Sequence, residues 1–349
     1  MSTTSADRKP SLRLVWMYGS PFEREWLEYL LSDFQLEHVV AERFPIPLTD
    51  RTIYVVSTNT LPLSKLPRHL QDLQARTRPA AGVGLVHLSD EWYGQDYDYY
   101  SNFDFVLRNH FSKSLQKPGI LQFPLGLPRV APLPQPIVPP SSRRYAWSFC
   151  GNRVASRFEM LSVFSKLAPA YVLPQGERIP RSEFQEVLLQ SKFAPCPMGN
   201  VMLETWRAYE ALEAGCIPLL ERRPTMDYYK NLLGDHPIPT FSGWRDALRF
   251  VRRQLEAPAD LDRRQAELLQ WWGAAKQAWH ERVSAFVRAG LSGQHREALA
   301  NFAFLANPTR RLWQYSELIR HHSSRALVRR AGDMLGRPFT ARSRRAHGG

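Results

Sequence analysis

The residues with the most chemical potential lie in CPMGNVMLETWRAYEALEAGCIPLL, residues 196–220. A Pro-Gly loop with Gly199 and Asn200 leads into a helical pattern near 203–214 that carries Glu204, Arg207, Glu210 and Glu213, and Gly-Cys-Ile-Pro then opens an apolar strand. A strand-loop-helix corner presents backbone N–H groups and the positive end of a helix dipole, a good environment for phosphate. At 100° per residue Trp206, Glu210 and Glu213 share a face about 60° wide. A helix carboxylate facing a nucleotide can accept both ribose hydroxyls. The competing reading is an Arg207–Glu210 surface pair on an ordinary packed helix. Neither GxGxxG nor GxxxxGK[ST] occurs at this corner, so no standard nucleotide fingerprint decides between the two.

The elements that must position this corner form two α/β series. In the first, LRLVWMY (12–18) predicts a strand and PFEREWLEYLLSDF (21–34) an amphipathic helix. HVVAE, TIYVVST, a helix near 64–77, VGLVHLSDE, DFVLRN and ILQFPLG follow. PLPQPIVPPSSRR (132–144) packs five prolines into residues 132–142 and predicts a linker. A second series runs YAWSFCG, ASRFEMLSVFSKL, AYVLPQG, RSEFQEVLLQ, SKFAPCP and CIPLLE, and the chain turns helical from about 244. Strands alternating with helices predict parallel sheets. The expected division is a flexible 1–11, a Rossmann-like domain over 12–131, the linker 132–144, a second Rossmann-like domain over 145–305 and a basic tail over 306–349. Two such domains facing a central cleft suit the GT-B architecture, periplasmic-type binding proteins and several kinases alike.

Composition narrows the setting. The chain has 349 residues, 44% hydrophobic and 12% aromatic, which suits about two folded domains. No run of about 18 apolar residues occurs, and MSTTSADRKPSLRLVWMY has no signal-peptide pattern, so a cytoplasmic protein is expected. Cys150, Cys196 and Cys216 lie far apart without zinc spacing, which predicts buried thiols rather than disulfides or a metal centre. The net charge is +13, but ten arginines against Glu317 and Asp333 from residue 310 onward supply +8 of it. The remainder is too modest to mark a nucleic-acid groove. The basic stretch mixes arginines with Leu312, Trp313, Leu318 and Ile319; it suits either contact with an anionic membrane face or a solvated tail.

SKFAPCPMGN…ETWRAYEALEAGCIPLL resembles the exostosin-type glycosyltransferases, and ETWRAYEALEAG is closer still to their ribitol-phosphate xylosyltransferase branch. SFCGNRVASRFEML (148–161) and GLVHLSDEWYG…DFVLRNHF…ILQFPLG (84–126) extend the similarity in the same order, over roughly residues 80–250. The resemblance implies an α/β GT-B fold and an inverting transfer from a nucleotide sugar, a UDP-sugar with UDP-xylose favoured. The acceptor would be a glycan, a polyol phosphate or a lipid-linked molecule, and no cofactor is required, although a divalent metal is left open. A non-catalytic nucleotide- or glycan-binding protein on the same fold is the alternative.

Carried onto this chain, the resemblance places Glu210 on the ribose, and Arg157 and Arg153 on the diphosphate. Asn152, Gly199, Asn200, Glu204 and Arg207 complete the nucleotide-sugar site, with Asn152 closing its loop. An inverting transferase needs a base facing the cleft from the first domain. Asp90 and Glu91, just after VGLVHL, are the candidates, and the competing role is a helix N-cap by Ser89 or Asp90. His87, Arg108 and Asn109 are expected to bind acceptor, although the last two suit a sheet cap equally. The DYD at 96–98 is set aside as a metal motif. Trp92, Tyr93, Tyr97, Tyr99 and Tyr100 read as an acceptor wall or as packing.

Overall fold

Strands such as SLRLVWM, TIYVVS and VGLVHL are apolar almost throughout, as strands covered on both faces must be. The computed structural model describes residues 9–17, 23–41, 51–57, 82–93, 97–126, 136–224, 226–300, 302–304 and 309–321. The first sheet consists of β1 (Ser11–Met17), β2 (Gln35–Ala41), β3 (Thr52–Ser57), β4 (Val83–Leu88), β5 (Phe105–Arg108) and β6 (Ile120–Gln122), in the order 2-1-3-4-5-6. All its pairings are parallel; Leu14, for example, sits between His38 and Ile53. Helix α1 (Arg24–Leu30) buries Trp26, Leu27 and Leu30, the face that the sequence spacing predicts. The helix expected near 64–77 lies outside the described residues.

The second sheet repeats the plan. It contains β7 (Tyr145–Phe149), β8 (Ala170–Val172), β9 (Ser191–Cys196), β10 (Ile217–Glu221) and β11 (Thr240–Phe241), in the order 11-10-9-7-8 and again parallel. Its helices are α2 (Arg157–Phe164), α3 (Arg181–Leu189), α4 (Trp206–Glu213), α5 (Tyr228–Leu233) and α6 (Trp244–Leu255). In both sheets the strand order reverses beside the first strand of the series, and such switch points open a crevice at the strands' carboxyl ends. Two Rossmann-like sheets flanked by helices bear out the predicted α/β class.

The junctions differ from the expected linker and tail. Residues 136–144 are docked on the second domain. Arg143 donates to the carbonyls of Val138, Leu188, Ser191 and Ala214, Lys192 to those of Pro140 and Ser141, and Ser141 to Asp262. Prolines remove N–H donors but leave carbonyls, and these cations satisfy them.

Helix α7 (Pro258–Leu291) begins on the second domain, where Gln265 donates to the carbonyls of Gly215 and Val138. It ends on the first, where Ser284 donates to the Leu30 carbonyl and Arg288 to Asp33. Near that end a Cβ on Gly290 would stand 2.1 Å from the Phe105 ring, so only glycine permits the approach. Helices α8 (Arg296–Ala300) and α9 (Thr309–His321) also return to the first domain. The basic tail expected from 306 is therefore, over residues 309–321, a packed helix. Trp313 is wedged against Tyr93, Tyr97 and Phe304, and Leu318 is buried beside it, because half of the apolar residues share one face.

Candidate active site

A cleft of about 590 Å³ opens where the carboxyl ends of the two sheets meet. Ser89 and Glu91 after β4, His110 after β5 and Leu125 after β6 line it from the first domain. Gly151, Asn152 and Arg157 after β7, residues 177–181 after β8, and Gly199, Asn200, Arg207 and Glu210 after β9 line it from the second.

Two arginines dominate the second wall. Arg157, the first residue of α2, is buried and donates Nε to the Met198 carbonyl (3.1 Å) and Nη1 to the Asn152 carbonyl (2.9 Å). Burial, and then the neighbouring Arg207, pull its pKa down to about 10, with Glu91 and Glu221 opposing. Arg207 lies over the Phe149 ring at 4.5 Å and donates Nη2 to the Cys150 carbonyl (2.9 Å). Its Nε and Nη1 are buried and make no hydrogen bond among the described residues. Two neighbouring cations, one depressed by the other and the second with idle donors, form a site short of an anion. Gly151 fits between them: a Cβ there would stand 2.7 Å from Arg207 Nη2 and 3.7 Å from Arg157 Nη1. Glu221 holds the wall from behind, accepting from Ser156 Oγ (2.6 Å) and the Met198 N–H (2.8 Å) and pairing with Arg223.

Glu210 reaches the same cleft from α4. Its partner is Arg181 of α3 at 3.7 Å rather than the Arg207 of the surface-pair reading. Burial raises its pKa, with Arg207 and Arg181 opposing. Beside it Cys150, Leu173, Ile179 and Phe184 form an apolar slot in the cleft lining.

Several expected site residues hold the wall instead of facing the ligand. Helix α4 starts at Trp206 rather than near 203, because Val201, Met202 and Leu203 plug the core. The Gly199 N–H is used by the Met202 carbonyl (2.6 Å), so this corner contributes shape and not a free helix N-terminus. Glu204, although at the cleft edge, accepts from the Leu125 N–H and the Tyr209 and Tyr228 hydroxyls, which clamps the two domains together. Replacing Glu204 by alanine would orphan three buried donors. A loss of about 2–5 kcal/mol is expected in urea unfolding, with little change in the cleft's charge. Arg153 is exposed, its N–H bound to Gln175 Oε1, and lies outside the cleft lining.

The first wall sorts the acidic pair. Asp90 is buried, bonded to the Tyr97 hydroxyl and 3.5 Å from Arg108. Glu91 faces the cleft. Ser89 takes a positive φ of 61°, held by Asn109 Oδ1 accepting its N–H (2.9 Å) and Glu23 accepting its hydroxyl (2.8 Å), and this turn presents Glu91. Burial raises the Glu91 pKa, Glu23 adds to the rise, and Arg157 opposes it from across the cleft.

The expected acceptor residues His87, Arg108 and Asn109 lie beneath this floor. His87 is bound through Nδ1 to the Tyr100 (2.6 Å) and Tyr99 (3.2 Å) hydroxyls. Arg108 is enclosed by Tyr97, Tyr100 and Asp90, and Asn109 bridges Ser89 and Glu23. Apolar strands β4 and β5 carry His87 and Arg108 inward, and Tyr93, Tyr97 and Tyr100 are packing, not an acceptor wall.

His110 is the residue that sequence reasoning missed. It is buried at a positive φ of 59°, lines the cleft, and its Nδ1 has no partner among the described residues. Burial depresses its pKa to about 3, so the ring is neutral. The signal was its place one residue beyond Asn109 at a strand's carboxyl end. No group of three or more His, Cys, Asp or Glu able to hold a metal occurs among the described residues. The cysteines are free, Cys196 and Cys216 buried and Cys150 partly so, with pKa values pushed up to about 11 for Cys150 and about 12 for the others.

Two Rossmann-like domains whose strand ends face each other over a cationic cleft are the GT-B arrangement. Residues 136–290 match the family model described as RXYLT1 C-terminal domain. Over 208 residues the chain is 26% identical to ribitol-5-phosphate xylosyltransferase 1 of Mus musculus, an alignment covering 54% of this chain and 46% of that protein. The chain thus spans about half the length of the curated relative it matches. The resemblance read from ETWRAYEALEAG is borne out by both findings.

Proposed function

We propose that this chain is a glycosyltransferase that moves a sugar from a nucleotide donor to a polyol-phosphate acceptor. The donor is a UDP-sugar, with UDP-xylose the first to try. The observation that carries the reading is the Arg157–Arg207 pair, with idle Arg207 donors, facing Glu91 across the cleft. The relative's printed name, a ribitol-5-phosphate xylosyltransferase, supports both the sugar and the acceptor class.

In this mechanism the diphosphate lies on Arg157 and Arg207, the ribose hydroxyls donate to Glu210, and the base enters the slot at Leu173, Ile179 and Phe184. Glu91 takes the proton of the attacking hydroxyl as the oxygen closes on the anomeric carbon from the face opposite the diphosphate. The glycosidic C–O electron pair leaves with the diphosphate, and the two guanidiniums stabilise its growing charge. The product is inverted. His110, neutral and lining the same cleft as Glu91, orients the acceptor hydroxyl.

Calorimetry with UDP tests the reading. Glu210→Ala is expected to weaken binding about ten- to hundred-fold through loss of a charged acceptor. Unchanged affinity would remove the ribose assignment. UDP binding without consumption of any UDP-sugar, and without any effect of Glu91→Gln, would leave a binding module.

A further inference from the structure

Helix α9 has two apolar faces, and one of them is buried against the described residues. Trp313, Glu317, Leu318 and His321 are buried against the first domain and the β9–α4 loop. On the opposite side Leu312, Tyr315 and Ile319 are 69%, 42% and 50% exposed and fall within about 60° of one another at 100° per residue. Arg311 and Arg320 flank this stripe on its two sides, both exposed. Trp92, 42% exposed, lies by the inner side of the helix instead, where Gln314 Nε2 donates to its carbonyl at 3.0 Å. The other large exposed apolar residues among those described lie elsewhere in the chain, in α1, β2, α2 and residues 136–144. A stripe of Leu, Tyr and Ile between arginines suits a helix lying in a bilayer interface. Charge complementarity selects an anionic surface: the 28 residues after His321 carry seven arginines against Asp333, and the acid on α9, Glu317, is turned inward and paired with Arg320.

We infer that the outer face of α9 docks this protein on an anionic lipid bilayer, Leu312, Tyr315 and Ile319 entering the interface and the arginines meeting the headgroups. The inference stands on the helix and its charge, and does not depend on the donor.

The test is co-sedimentation of the full chain with phosphatidylcholine vesicles, with and without about 30% phosphatidylglycerol. The wild type is expected to sediment with the anionic vesicles and to be released as salt rises. Leu312→Ser with Ile319→Ser is expected to lower the bound fraction about ten-fold. Both changes lie on the solvent side, and an unchanged melting temperature confirms that the fold is kept. If that variant loses its fold, Arg311→Glu with Arg320→Glu must show the same loss of sedimentation. A double serine variant that sediments like the wild type, a wild type that ignores anionic vesicles, or a wild-type dimer that the serines convert to monomer would each overturn the assignment.

Discussion

Glu91→Gln is expected to lower kcat by about a hundred- to ten-thousand-fold, the range for loss of a general base, while UDP affinity stays within a factor of about two. Glutamine keeps the shape and the hydrogen-bonding edge, so the fall isolates proton acceptance. Asp90→Asn is the control: Asp90 serves Tyr97 and Arg108 beneath the floor, and its loss is expected to appear first as a lower melting temperature. The pH profile carries a second signature. Burial lifts the Glu91 carboxyl above its ordinary 4.5, and a base works ionised, so the rate must rise with pH through a limb above that value. In the free protein the positive Arg157 holds this limb down. A bound diphosphate neutralises that influence. The limb in kcat is therefore expected at higher pH than the limb in kcat/KM, and coincident limbs would argue against an Arg157-bound diphosphate.

Arg207→Ala is expected to weaken UDP binding about ten- to hundred-fold, the worth of one or two charge-assisted hydrogen bonds. Arg207 is the cleaner probe of the pair, because Arg157 also ties the Met198 and Asn152 carbonyls and its removal would loosen the wall. Arg207 has one such tie, to the Cys150 carbonyl, and two idle donors. Arg207→Lys is expected to recover part of the affinity, since an ammonium supplies the charge without the fork. Titration calorimetry at two ionic strengths separates charge from shape. An alanine variant that binds UDP as the wild type does would move the diphosphate elsewhere.

The strands were the most legible part of this chain. Apolar runs such as TIYVVS and VGLVHL have one physical solution, a strand buried on both faces, and the alternation with helices implied parallel pairing. The second wall of the cleft was legible through the resemblance: Arg157, Arg207 and Glu210 lie in the stretches SFCGNRVASRFEML and ETWRAYEALEAG, which α2 and α4 bring to the cleft. The first wall was not. Whether Asp90 or Glu91 faces solvent turns on the positive φ of Ser89 and on Asn109 and Glu23, which are 20 and 66 residues away from it. Adjacent carboxylates on a turn look alike until that contact exists. Glu204 misled because a carboxylate beside a helix looks solvated, whereas its three partners come from 5, 24 and 79 residues away. Arg108 and His87 misled because β4 and β5 are buried on both faces, and tyrosines after β4 closed over these two side chains.

The long helix α7, 34 residues and so about 50 Å from end to end, has a consequence for motion. The polypeptide passes from the first half to the second through residues 136–144 and returns along this rod. The halves are also tied at the mouth of the cleft, where Glu204 accepts from the Leu125 N–H and the Tyr228 hydroxyl from the Phe111 N–H. Drawing Arg157 and Arg207 away from Glu91 therefore requires these cross-domain hydrogen bonds to break, so the closed cleft has a latch as well as a rod.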